Sequence, residues 1–454
     1  MSNQRQGVSV CVIGAGPGGL AMARLLQLQG ASVTVLEQRD RAGGMCHSVE
    51  HDGQWFDIGA NYVTKDYREV RALAKDFDLA LTSDKAFQHQ LSMNVETGEL
   101  VDAQKVINSG HSMLSFGLAG LRYFWFQFKY RKVVRAPGYA DVGNQPELMV
   151  PFDEWLVTHK MAPLQKLFMI PITAMGFGTL DEIPTPHALR YVNASRFWSM
   201  LKTGLKIPQR WPKRFVHGFG HLWQEVANQL AVEYETDTIS VDRSGASIEV
   251  VTRDRDGTEQ VRQFDRLVLG TPPNVALEFL DASPEEKALY ADDVIEFNHY
   301  VVATATVENF HPWVVNTMQP AAGDSGEWPT PDGHPYIFGK QWHDSDLTLY
   351  YAPIVGEQSD DQIRSRMEHD SKLSAREHRD TRWGEWKNFA DWPRYFPRVS
   401  IDDMSGFQGG DGWYDQVEAL QGQNRTYLCH GILSFELVEL VMRYARHLVD
   451  ERFE

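Results

Sequence analysis

Gly14, Gly16 and Gly19 stand at the spacing GxGxxG between a short β-rich run, VSVCVIGAGPGG over residues 8–19, and a helical run, LAMARLLQLQG. In that context the first glycine permits a tight turn, the second lets a pyrophosphate approach the backbone, and the third lets helix and strand pack closely. The helix start at Pro17 and Gly18 can then bind a diphosphate through exposed backbone N–H groups, of which Pro17 itself has none. Glu37 follows the first glycine by 23 residues at the end of VTVLE, with Gln38 beside it. A carboxylate there accepts hydrogen bonds from both hydroxyls of an adenosine ribose and disfavours a 2′-phosphate, so FAD or NAD is expected rather than NADP.

A second group follows at once. In RAGGMCHS, Gly43 and Gly44 let the backbone pass close to a cofactor beside Met45, and Arg41 can bond a pyrophosphate. GQWFDIGANYV adds Asp57, Gly59 and Ala60 in another tight segment. His47, after Cys46, is read as a packing or hydrogen-bonding histidine rather than an obligatory acid or base. Cys429 and His430 are adjacent, but adjacency alone does not make a nucleophile pair. No CxxC pair or HExxH spacing is present, and His217 and His221, four residues apart, are read as structural or surface groups, so no metal is expected.

These residues need elements to hold them. Strand, glycine turn, helix and the strand ASVTVLEQ form the opening βαβ unit of a dinucleotide-binding sheet. A second α/β piece begins near Gly218 with a glycine-started helix, GFGHLWQEVANQLAVEY, and strands follow to FDRLVLGTPP. The third pairs TYLCHGILS with FELVELVMRYARHLV, where Leu437, Val441, Tyr444 and Leu448 recur at helical spacing. The expectation is an α/β Rossmann-type FAD-binding domain assembled from discontinuous segments, 1–79, 215–275 and 386–454. Residues 80–214 and 276–385, richer in aromatics, are expected to form an inserted α+β substrate domain with a helical cap, and QPAAGDSGEWPTPDGHP, 319–335, its clearest long loop.

A chain of 454 residues exceeds the roughly 250–300 at which one core stops growing, so two domains are expected. A net charge of −17 argues against a nonspecific nucleic-acid partner. Three cysteines make no disulfide framework, and MSNQRQGVSV lacks the apolar run of a secretory signal, so a cytoplasmic location is expected. No stretch has the 18 or more apolar residues of a membrane span. Residues 114–134, LSFGLAGLRYFWFQFKYRKVV, are read as a core helix with one basic end; the other reading is a segment resting transiently on a membrane or lining an oily substrate's entrance. Nothing in the sequence determines the oligomeric state.

RxGG after the ribose acid, then FDIGA, then the late FDRLVLGTPP are similar to the FAD-dependent amine oxidase and phytoene desaturase superfamily. Five longer strings resemble a narrower branch, the FAD-dependent polyunsaturated fatty acid double-bond isomerases. They are GGMCHSVEHDGQWFDIGA at 43–60, LMVPFDEWL at 148–156, ITAMGFGTLDEIPTPHALRYV at 172–192, YFPRVS at 395–400 and GWYDQVEALQGQNRTYLCHGILSFELVE at 412–439.

The resemblance implies that FAD is the cofactor and that flavin N5 takes a hydride from a doubly allylic carbon and returns it at another, giving a conjugated diene. No side chain is then assigned as catalytic. Thr238, Gly270, Gly431, Ser434 and Phe435 join the expected cofactor contacts. Cys429-His430-Gly431 stands where the group often has Ala-Gly-Glu, leaving ribityl contacts to backbone, water or His430. The branch can anchor the fatty carboxylate with an arginine, and none lies between Lys85 and Gly98; His89, Gln90 or a distant arginine are the alternatives. Phe177, Tyr191, Phe197, Trp198, Met200 and Trp413 are expected along the wall of a tunnel for a hydrophobic small molecule such as an unsaturated lipid. Net oxidation or desaturation of an amine, terpenoid or fatty substrate is the alternative activity.

Overall fold

The computed structural model describes residues 6–83, 90–312, 314–317, 333–376 and 380–453. Strand Ser9–Ile13 has Val10, Cys11 and Val12 wholly buried, as suits an apolar run covered on both faces of a parallel sheet. It pairs in parallel with Ser32–Leu36 on one side and Arg266–Leu269 on the other. Ala231–Glu233 and Thr426–Leu428 extend the sheet outward, also in parallel. The spatial order is Thr426–Leu428, Arg266–Leu269, Ser9–Ile13, Ser32–Leu36, Ala231–Glu233. Neighbouring strands thus come from three distant parts of the chain, the discontinuous Rossmann-type arrangement expected.

Helix Pro17–Leu28 starts with proline at its first turn, where the ring is already set for helix, and buries Leu20, Met22 and Leu26. The final helix, Val438–His447, lies across it, with Val441 close to Gly18. Glu439 of that helix accepts from the backbone N–H of Glu69 at 2.9 Å and Val70 at 3.1 Å. It thereby caps helix Arg68–Asp76, which has no side-chain cap of its own.

The second body is a seven-stranded sheet in the order Arg382–Arg398, Glu296–Glu308, Leu347–Ile354, Ile337–Lys340, Val314–Asn316, Gln90–Met93, Leu100–Asp102. All its pairings are antiparallel except that of Val314–Asn316 with Gln90–Met93. The boundary expected at residue 385 falls inside a strand: the ladder with Glu296–Glu308 runs on through Phe389, Ala390 and Trp392 to Arg398. Register shifts along that pairing break the alternation by which the sequence would have shown the strand. The long loop expected at 319–335 lies outside the described residues up to 332, as does His89.

Helices Met113–Lys129, Phe152–Thr158, Gln165–Thr173, Thr185–Tyr191 and Ala194–Gly204 make the helical layer. The core reading of 114–134 needs correction. Ala119, Gly120, Tyr123 and Phe126 face inward, whereas Leu114, Leu118, Leu121, Trp125 and Phe128 are exposed. The helix packs by one face only. Among the described residues, no helix is long and apolar enough to cross a membrane.

Candidate functional site

A cavity of about 1960 Å³ opens at the carboxyl ends of the parallel strands, where Ile13, Leu36, Gly270 and Cys429 line it, and reaches the seven-stranded sheet. Ligands bind at these strand ends in open α/β sheets. Gly14 sits at φ +101°, a backbone state that side chains rarely adopt. A Cβ on Gly19 would lie 2.0 Å from the Gly14 carbonyl oxygen, so this glycine serves the turn rather than the cavity wall. In front of Gly16 the opposite holds, since a Cβ there would meet nothing within 4 Å.

Glu37 is buried. One carboxylate oxygen accepts from the Ala15 N–H at 2.8 Å and the other from Arg39 N–H at 2.9 Å. A carboxylate has about four acceptor positions, so two remain for the hydroxyls of a ribose. Gln38 and Thr238 lie on the same stretch of wall, and Pro17 and Gly18 beside Gly16. Gly44, Met45, Gly59, Ala60 and Gly431 also line the cavity. Open space before a helix start and an acid with spare acceptor positions fit a dinucleotide such as FAD.

Other expected contacts stand behind the wall. Arg41 donates to the Gly44 carbonyl at 2.8 Å, bracing the loop in which Gly43 adopts φ +101°. Asp57 accepts from Ser48 Oγ at 2.6 Å and the Phe219 N–H at 2.8 Å, and burial pushes its carboxyl up to about 6. Ser434 is buried, its carbonyl taken by Arg190 at 3.0 Å. Phe435, at φ +88°, packs against Phe177 and Phe396.

Burial holds His47 and His430 down to about 4, so both imidazoles are neutral near pH 7. Cys46 and Cys429 are buried, which pushes their thiols up and leaves them poor nucleophiles. The rings of His217 and His221 lie 5.8 Å apart, and His221 leans toward Glu225. His51, Asp52 and Asp346 form the one group of at least three close ligand atoms among the described residues, and none of them lines the cavity.

Of the expected tunnel residues, Phe177, Tyr191, Trp198 and Met200 line the cavity. Phe197 and Trp413 do not, and both are wholly buried. Phe197 packs on Tyr123 with ring centroids 4.7 Å apart and on Phe168 at 5.5 Å, while Trp413 donates its indole N–H to the Leu289 carbonyl at 2.8 Å. One residue along helix Ala194–Gly204 turns the side chain by 100°, which separates core-facing Phe197 from cavity-facing Trp198.

Three wall residues were not foreseen. Tyr300 and Tyr395 stack at 5.1 Å, the former donating to the Ala174 carbonyl and the latter to the Met175 carbonyl at 2.9 Å. Burial raises both phenols well above their ordinary range. The third is Glu436, whose Oε2 is buried without a hydrogen-bond partner among the described residues. Burial pushes its carboxyl up to about 8, against a smaller lowering by the Phe396 backbone. A lone acid between Phe435 and Leu437 was the sequence signal that could have found it.

Residues 17–314 match the family described as flavin containing amine oxidoreductase. Over 52 residues, 12% of this chain, the identity to all-trans-retinol 13,14-reductase of Danio rerio is 54%. Over 70 residues, 15% of this chain, it is 44% to putrescine oxidase of Kocuria rosea. The chain spans only 9% and 15% of the length of these curated relatives. The crystal structure of the CLA-producing fatty acid isomerase from P. acnes superposes with a TM-score of 0.83 at 22% identity, covering 100% of both chains, and so shares the fold.

Proposed function

The chain belongs to the flavin containing amine oxidoreductase family, and from that premise we propose that it is an FAD-dependent double-bond isomerase of a polyunsaturated fatty acid or related lipid. When bound, FAD supplies a ring able to accept a hydride and give it back. Glu37, Gln38 and Thr238 would hold the adenosine, and the turn Gly14 to Gly18 the diphosphate. Gly44, Met45, Gly59, Ala60, Gly270 and Gly431 would line the remainder. Gly19, Arg41, Gly43, Asp57, Ser434 and Phe435 would position those residues from behind. Residues 1–79, 215–275 and 399–454 then form the cofactor domain, and 80–214 with 276–398 the substrate domain.

The observation that carries the reading is the character of the far wall. Phe177, Tyr191, Tyr300 and Tyr395 line it with Ile170 and Met175. The hydroxyls of Tyr300 and Tyr395 are committed to carbonyls, and burial keeps these phenols neutral. Such a wall excludes water, and its rings can favour positive charge developing along a chain. Glu436, protonated near neutral pH, adds a hydrogen-bond donor without a charge. An alkyl-ammonium substrate would call for an ionised carboxylate at this depth. Where the cavity reaches solvent, Lys206 and Arg210 beside Trp198 and Ile207 suit a fatty carboxylate, and Gln90 lines the wall as a neutral alternative.

The second reading is net oxidation, dehydrogenation or desaturation of an amine, terpenoid or fatty substrate, which the family description favours. Anaerobic incubation with a polyunsaturated fatty acid decides between them. The isomerase reading expects product of unchanged mass with new conjugated-diene absorbance. Loss of two hydrogens with stoichiometric use of an electron acceptor would overturn it. A cytoplasmic location belongs to the same proposal, supported by three free buried cysteines.

A further inference from the structure

Leu114, Leu118, Leu121, Trp125 and Phe128 recur at alternating steps of four and three along helix Met113–Lys129, which sets them in a single row. They are 74%, 45%, 69%, 55% and 65% exposed. Large apolar side chains scattered singly are ordinary on a surface, but a continuous row of five is not. The row adjoins one solvent-exposed part of the cavity wall. Phe124 of the same helix meets the rings of Phe197 at 4.9 Å and Trp198 at 6.2 Å. Trp198 and Ile207, 50% and 44% exposed, line the cavity, and Leu205 between them is 63% exposed.

The charge pattern says what covers this face. The chain carries −17 overall, yet between Asp102 and Asp141 it has six Lys and Arg residues and no acid. Between Glu182 and Glu225 it has seven and again no acid. These are the two stretches that hold the exposed row and the exposed cavity residues Trp198 and Ile207. Arg190, Arg196 and Arg214 point inward, while Arg122, Arg131, Lys132, Arg135, Lys206 and Arg210 are exposed. An apolar row flanked by cations on an otherwise acidic molecule matches an anionic bilayer, with apolar side chains entering the acyl boundary and cations meeting headgroups. A second copy of the chain would bring the same cations face to face. We propose that this face docks on anionic membrane lipid and presents that exposed part of the cavity wall to the bilayer.

The proposal goes beyond the reading of the reaction, and its test does not measure turnover. The flavin-loaded full chain is floated with vesicles of phosphatidylcholine containing about 30% phosphatidylglycerol, and with phosphatidylcholine alone. Binding is expected to the mixed vesicles, roughly 10-fold weaker to the neutral ones, and to fall as salt is raised. Leu121→Glu with Phe128→Glu should cut binding by about 10-fold or more while flavin content and melting temperature hold. Lys132→Glu with Arg135→Glu should weaken it on the mixed vesicles. Absence of binding to either vesicle overturns the proposal, and so does binding that all four substitutions leave unchanged. A dimer that sedimentation detects and Leu121→Glu dissolves would overturn it in favour of a second copy. Inactivity toward every lipid tried would leave the vesicle result standing, so failure of the reaction assignment is read separately.

Discussion

Glu436 makes the sharpest case at the scale of single residues. In the unfolded chain its carboxyl ionises near the ordinary 4.5, while in the fold it keeps its proton to about 8. Between those values the folded state binds more protons, so this group takes stability away as pH rises from about 4.5 to 8. Glu436→Gln keeps the shape and removes the titration. The melting temperature of the flavin-free variant should therefore exceed that of the parent by a margin that grows from pH 5 to pH 8; a margin constant across that range would count against a buried neutral acid. Glu37 makes a different case, a buried acid whose two oxygens already accept from the Ala15 and Arg39 backbone N–H groups. Glu37→Ala removes the acceptors of both ribose hydroxyls, at about 0.5–1.5 kcal/mol per hydrogen bond. FAD affinity should fall roughly 10- to 100-fold in a fluorescence titration, with the chain still folded.

At the scale of elements, the glycine turn separates two jobs that a motif merges. A Cβ at Gly18 would lie 2.3 Å from the Cys429 carbonyl oxygen, a backbone atom that cannot swing aside, whereas Gly16 faces open space. Gly18→Ala should therefore cost stability by about 1–3 kcal/mol even without cofactor. Gly16→Val should melt like the parent when flavin-free and yet fail to retain FAD. Thermal melts and flavin content on the same preparations check both. Helix Ala194–Gly204 poses a similar contrast. Phe197→Ala empties a wholly buried site and should cost about 3–5 kcal/mol. Trp198→Ala, at a half-exposed cavity position, should leave folding and flavin largely intact and lower turnover or move the product double bond. Unchanged product in a stable, flavin-loaded Trp198→Ala protein would remove that residue from substrate placement. Sequence alone ranked these neighbours equally, because bulk and aromaticity are shared and only the helix phase differs.

Across the whole molecule, the cavity is lined at the ends of four parallel strands by Ile13, Leu36, Gly270 and Cys429, so a dinucleotide bound there would join chain segments far apart in sequence. FAD at about 100 times its dissociation constant should add roughly 2.7 kcal/mol to stability, seen as a rise in denaturation midpoint with added FAD. By itself the sequence determined the βαβ opening, the acid at the end of its second strand and the assembly of a Rossmann-type domain from discontinuous segments. Those features rest on backbone demands met within a few residues: a turn that needs glycine, a helix start that needs free N–H groups, a strand that must be apolar on both faces. Only the tertiary structure decided which acid is buried, which of two adjacent aromatics meets the cavity, where the second sheet ends, and that residues 114–128 keep an apolar row in water. Each of these depends on what packs against a side chain from elsewhere in the chain, and local periodicity carries no record of that contact.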